Sequence, residues 1–131
     1  MKQFGLSKKE RIKSKQEFEL LYTSGTTINS RSQKLKAIFF VEETNESGVK
    51  AAFVVYKKAG KAVWRNRIKR LLRVSYRLNK SILLDVCNEK NISLLVAFAV
   101  KSLNEKNNNT IKLSEILPDV VSLMEQIKAR L

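Results

Sequence analysis

The sequence predicts an α/β (α+β) two-layer sandwich, in which helices pack on a small, mostly antiparallel sheet. Three observations carry that expectation. Apolar residues are 44% of a 131-residue chain with one proline, which suits one packed domain spanning residues 1–131. Apolar spacing alternates between helical and extended patterns in the order α-β-β-α-β-α. One short segment, "NISLLVAFAV" (Asn91 to Val100), is apolar almost throughout, as a strand covered on both faces must be.

Taken in order, "SKQEFELLYTSG" reads as a short helix. Ser14 is its N-cap, Glu17 stands where a capping box needs it, and Gly25 stops it. Phe18, Leu21 and Tyr22 share one face of that helix. Next, "KLKAIFFVEE" (Lys34 to Glu43) and "VKAAFVVYKK" (Val49 to Lys58) flank the turn-forming "TNESG", a pattern that predicts a β-hairpin. A long helix should run from about Val63 to about Asp85. After the Asn91–Val100 strand and a polar loop, "SEILPDVVSLMEQIKARL" predicts a closing helix with Leu117, Val121, Met124, Ile127 and Leu131 on its apolar side. Pro118 is tolerated there only within about the first turn.

Composition narrows the chemistry. Lys and Arg number 26 against 12 Asp and Glu, a formal charge of +14, which attracts polyanions. With no histidine in the chain, Ser-His and Cys-His pairs and His-ligated zinc cannot be built. Cys87 is the single cysteine and is expected as a small apolar filler near a helix end. No apolar run approaches the roughly eighteen residues of a membrane span, and the first residues lack the apolar stretch of a secretory signal, so a cytoplasmic location is expected.

The segment "GKAVWRNRIKRLLR" holds six cations in fourteen positions and no carboxylate. At roughly 100° per residue, Arg65, Lys69, Arg73, Asn66, Arg77 and Arg70 fall within an arc of about 140°. Trp64, Ile68, Leu71, Leu78 and Ile82 gather opposite, with Leu72 at the edge and Arg67 between the faces. A solvated face, an anionic membrane surface or nucleic-acid phosphates could each accept such a ridge. Solvated faces interleave acids with bases, yet the first acid after Arg65 is Asp85. A membrane would compete for the apolar side that the sheet needs. Phosphate, met by forked arginines, fits best, with Asn66 able to reach a base edge or a 2′-hydroxyl.

"KKAGKAVWRNRIKRLLR" closely resembles the signature of the bacterial ribonuclease P protein family. "LSKKERIKSKQEFELLYTSG" resembles that family's N-terminal segment, and both occur in the family's order. The resemblance implies a small subunit that binds the ribonuclease P catalytic RNA and the 5′ leader of precursor tRNA, aiding endonucleolytic removal of the leader. It implies catalysis by the RNA, with Mg²⁺ held mainly by that RNA and none by the protein alone. No membrane, DNA or obligate protein partner is implied, nor any catalytic residue in this chain. It also implies a left-handed crossover into the basic helix, with Gly60 and Lys61 forming a tight lead into it.

By the same resemblance Lys61, Arg65, Asn66, Arg67, Lys69, Arg70, Arg73 and Arg77 would dock on the catalytic RNA. Phe18, Tyr22, Arg31, Tyr56, Lys57 and Lys58 would line a cleft for single-stranded leader, gripped by stacking and positive charge. Phe18 fits either core or cleft wall, and Trp64 is assigned to the core. The chain departs from the family where Tyr56 replaces a serine. It departs again where Ala97-Phe98-Ala99 lacks a cation, which leaves Phe98 between cleft and core. Two rival functions share the basic helix. A structured-RNA-binding, ribosome-associated module would leave the aromatic helix without a purpose. Duplex DNA binding through the major groove suits mostly helical proteins instead.

Overall fold

The structure is a computed structural model and describes residues 8–42 and 46–131. Most of the basic lead-in (residues 1–7), and Thr44 and Asn45 of the expected turn, lie outside the described residues. The helices are α1 (Lys15–Ser24), α2 (Ala62–Asn79), α3 (Ser81–Lys90) and α4 (Leu113–Arg130). The strands are β1 (Thr26–Asn29), β2 (Leu35–Glu42), β3 (Gly48–Val54) and β4 (Ser93–Val100), with short 3-10 turns at Lys8–Glu10 and Lys57–Ala59.

Local chemistry sets the ends of α1 much as its sequence predicts. The Glu17 N–H donates to Ser14 Oγ at 3.0 Å, and the Gly25 N–H donates to the Leu21 carbonyl at 2.8 Å. The Glu17 carboxylate goes to Lys50 at 2.9 Å, which ties α1 to the sheet. Gly25 is required by close approach: a Cβ there would lie 2.4 Å from the Leu21 carbonyl oxygen and 2.7 Å from Ile38 Cγ2.

The four-stranded sheet has the order β1-β2-β4-β3. β2 pairs with β1 and β4 antiparallel, while β3 and β4 run parallel. The expected hairpin is therefore wrong, because β4 lies between the two strands that were to form it. Ser93, at the start of β4, pairs with Glu42 on one side and Gly48 on the other. β4 takes the centre because it alone carries nothing polar to expose beyond Ser93. Leu94, Val96, Phe98 and Val100 face one layer, and Leu95, Ala97 and Ala99 face the other. β1 is a further short strand that the sequence reading lacked, with only Ile28 of its four residues buried.

The main core lies between the sheet and α2, α3 and α4, where Trp64, Ile68, Leu72, Leu83, Ile116 and Leu123 meet the inner residues of β4. Phe98 belongs here, with its ring 6.0 Å from Phe53 and 5.6 Å from Tyr76, so it is core. Burial of such a ring contributes about 2–3 kcal/mol. Cys87 is fully buried, and burial pushes its thiol up to about 11. A smaller cluster of Ile12, Leu21, Ile38, Ala52, Leu95 and Ala97 holds α1 on the opposite face.

Three helical expectations need adjustment. The long helix is two, α2 and α3, which meet at Lys80, and helix continues to Lys90. Asn79 at the junction donates its side-chain amide to the Ser75 carbonyl, the local competition that ends a helix. The buried face of α2 comprises Trp64, Ile68, Leu72, Ser75 and Tyr76, while Leu78 is 47% exposed. Tyr76 turns that face, because its ring packs against Phe53 and Phe98. In α4 the inward residues are Ile116, Val120, Leu123, Met124 and Ile127, and Pro118 sits in the second turn.

Candidate nucleic-acid interface

α2 begins where Gly60 passes closely beneath two side chains. A Cβ on Gly60 would stand 2.6 Å from the Trp64 ring and 2.8 Å from Glu105 Cβ. The Lys61 N–H donates to Glu105 Oε1 at 2.8 Å, so a carboxylate from the loop after β4 caps the positive end of α2. Trp64 is 4% exposed and donates its indole N–H to the Asn108 carbonyl at 3.1 Å, as a core tryptophan should.

The expected cations all lie on or beside the outward face of α2, in two kinds. Arg65 and Arg67 are half-buried and engaged. Arg65 Nε donates to the Gly60 carbonyl at 3.0 Å, and Arg67 Nη2 donates to the Ile111 carbonyl at 2.6 Å. Lys61, Asn66, Arg70 and Arg73 are exposed, Lys69 and Arg77 are half-buried, and the Arg73 guanidinium lies 6.0 Å from the Phe53 ring centroid. Among the described residues none of these cations has a carboxylate within ion-pair distance; the ion pairs found are Lys50–Glu17 and Lys80–Glu10. Among the described residues no carboxylate forms an ion pair with a side chain of the ridge, and Glu105 at its head meets the Lys61 backbone N–H.

The second surface lies on the α1 side of the sheet. Phe18 and Tyr22 stack with centroids 6.5 Å apart and planes 16° from parallel. Leu21, between them in sequence, points inward and is fully buried. Phe18 is half-buried against the smaller cluster, while Tyr22 is 52% exposed and Tyr56 is 40% exposed. The Tyr22 phenol is raised above its usual range, first by desolvation and then by Tyr56, with Lys36 pulling the other way. Lys36 Nζ lies 5.2 Å from the Tyr56 ring centroid. The structure thus gathers Phe18, Tyr22, Tyr56 and a residue the sequence reading missed, Lys36. The signal was present: in "KLKAIFF" Lys36 alternates with the inward Leu35 and Ala37.

Lys57 and Lys58 do not end a strand. β3 stops at Val54, and both lysines lie in the 3-10 turn that leads to α2. There they line a shallow hollow with Gly60, Lys61 and Asn104–Asn107. Arg31 is exposed in the turn from β1 to β2, at the sheet end that holds Lys36.

A family model described as Ribonuclease P matches residues 6–126. The chain belongs to the ribonuclease P protein family. A ribonuclease P protein component from Porphyromonas gingivalis is 35% identical over 101 residues, 76% of this chain and 72% of that relative. The Staphylococcus aureus RNase P protein superposes with a TM-score of 0.69 at 20% identity, covering 91% of this chain and 95% of that one. The RNase P protein from Thermotoga maritima gives 0.70 at 19% identity, covering 89% and 96%. At such identities these structures speak for the fold, whose strand and helix order agrees. Membership in the ribonuclease P family implies a role in tRNA 5′ processing within an endoribonuclease holoenzyme, with an RNA partner. No helix among the described residues is long and apolar enough to cross a membrane.

Proposed function

We propose that this chain is the protein subunit of a ribonuclease P holoenzyme. The α2 ridge docks on the catalytic RNA, and the cleft between α1 and the sheet holds the single-stranded 5′ leader of precursor tRNA. The observation that carries this is the ridge of α2, whose exposed Arg70 and Arg73 have no carboxylate within ion-pair distance among the described residues. Guanidinium groups spaced along one helix face can neutralise successive phosphates of a folded RNA, and release of the counterions drives assembly. The cleft asks for something different. Exposed tyrosine faces stack on any base, so a strand is held without being read, as leaders of varied sequence require.

Among the described residues no three His, Cys, Asp or Glu side chains are grouped so that they could hold a metal ion. On this reading the RNA holds Mg²⁺ and supplies the hydrolytic chemistry, while the protein contributes binding and positioning. Added to its cognate catalytic RNA at moderate Mg²⁺, the purified chain should restore cleavage of precursor tRNA at the mature 5′ end. No stimulation of cleavage would sink the proposal. Stimulation without preference for precursor over mature tRNA would favour a plain RNA-binding module.

A further inference from the structure

The cleft is electrostatically lopsided. Along the α1 face of the sheet, successive rows run Phe40–Leu95–Lys50, Ile38–Ala97–Ala52 and Lys36–Ala99–Val54. Lys50 is neutralised by Glu17 at 2.9 Å. Lys36, two rows along, has no carboxylate within ion-pair distance among the described residues; its contact is the Tyr56 ring. Ala97, in the row between them, and Ala99, directly beside Lys36, are buried and add only methyl groups, so neither competes with Lys36 for a polar ligand. Tyr22, near enough for Lys36 to act on its phenol, rises at the α1 wall. Asn29 of β1 is Lys36's other cross-strand neighbour, and it is exposed.

An ammonium held over a tyrosine face keeps its N–H donors while its position is restricted. Lys57 and Lys58, expected in this role, line a different hollow. We infer that Lys36 is the phosphate-anchoring residue of the cleft. It binds one phosphodiester of single-stranded RNA whose neighbouring bases stack on Tyr22 and Tyr56, so that the strand is fixed at one linkage. This rests on the proposed leader cleft and adds to it a definite register.

The test uses the reconstituted holoenzyme and a precursor tRNA series in which one leader phosphate at a time is a neutral methylphosphonate. With the unaltered chain, one linkage position should weaken binding roughly fivefold or more. Lys36→Met, which keeps the aliphatic stem, should weaken the all-phosphate precursor by a similar factor and reduce the salt slope by about 0.7. It should also abolish the penalty at that one linkage, and Lys36→Arg should restore it. If Lys36→Met leaves affinity, salt slope and the methylphosphonate profile unchanged while Tyr22→Ala weakens leader binding, the Lys36 inference is overturned and the cleft survives. If Tyr22→Ala is also without effect, the cleft itself is overturned.

Discussion

The ridge of α2 and the cleft beside α1 are both basic, yet they are built on opposite principles. The ridge places guanidiniums on a convex helix face, and the Glu105 carboxylate at its head is turned to a backbone N–H. The surface beside α1 is aromatic, and one of its two lysines is already paired with Glu17. A convex charged rod acts at a distance and is sensitive to salt. A ring-lined groove acts by contact and responds to what stacks in it. On the proposed function the two designs serve two tasks: assembly for the ridge, discrimination for the cleft.

Charge reversal should break that comparison most sharply. Arg70→Glu with Arg73→Glu should cost on the order of 100-fold or more in affinity for the catalytic RNA. Thermal unfolding should scarcely change, because both side chains are exposed. A titration of RNA binding beside a melting curve checks both halves. Tyr22→Ala comes next. It should reduce preference for leader-bearing over mature tRNA by about 1–3 kcal/mol while leaving assembly intact, measured as paired affinities in the holoenzyme. Equal defects from the two changes would erase the distinction between the surfaces.

Arg67→Ala sharpens the division within the ridge. Because Arg67 ties α2 to the Ile111 carbonyl at 2.6 Å, its loss should cost about 1–3 kcal/mol of stability in urea unfolding. Smallest is an alkaline effect on both surfaces together. Burial lifts Cys87 from 9.0 to about 11, so the folded chain holds that proton more tightly than the unfolded one. The stability this contributes is complete below pH 9 and lost between pH 9 and 11, on the order of 1–3 kcal/mol at most. Cys87→Ala should flatten that part of a stability–pH curve.

What the sequence disclosed, and what it withheld, follows from how far each signal reaches along the chain. The caps of α1, the two-sidedness of α2 and the doubly covered β4 are local, written in spacing and capping chemistry. Insertion of β4 between β2 and β3 is not local, since an apparent hairpin turn says nothing about a strand arriving some forty residues later. The same non-local pairing sets Lys36 opposite Ala99 and leaves it beneath Tyr56. Lys57 and Lys58 were misplaced because β-rich composition ran on past Val54, where the chain had already turned toward α2. Likewise, helical angles located the cations of α2, while the packing of Tyr76 on Phe53 and Phe98 decided which apolar residues turn inward.

On the proposed reading the ridge acts by direct neutralisation of phosphate by arginines that have no carboxylate partner among the described residues. The salt dependence of binding to the catalytic RNA, measured for the unaltered chain and for Arg70→Ala and Arg73→Ala, tests this most directly. Each substitution should make the plot of log affinity against log salt shallower by about one unit. An unchanged slope in both variants would mean that α2 does not meet the RNA.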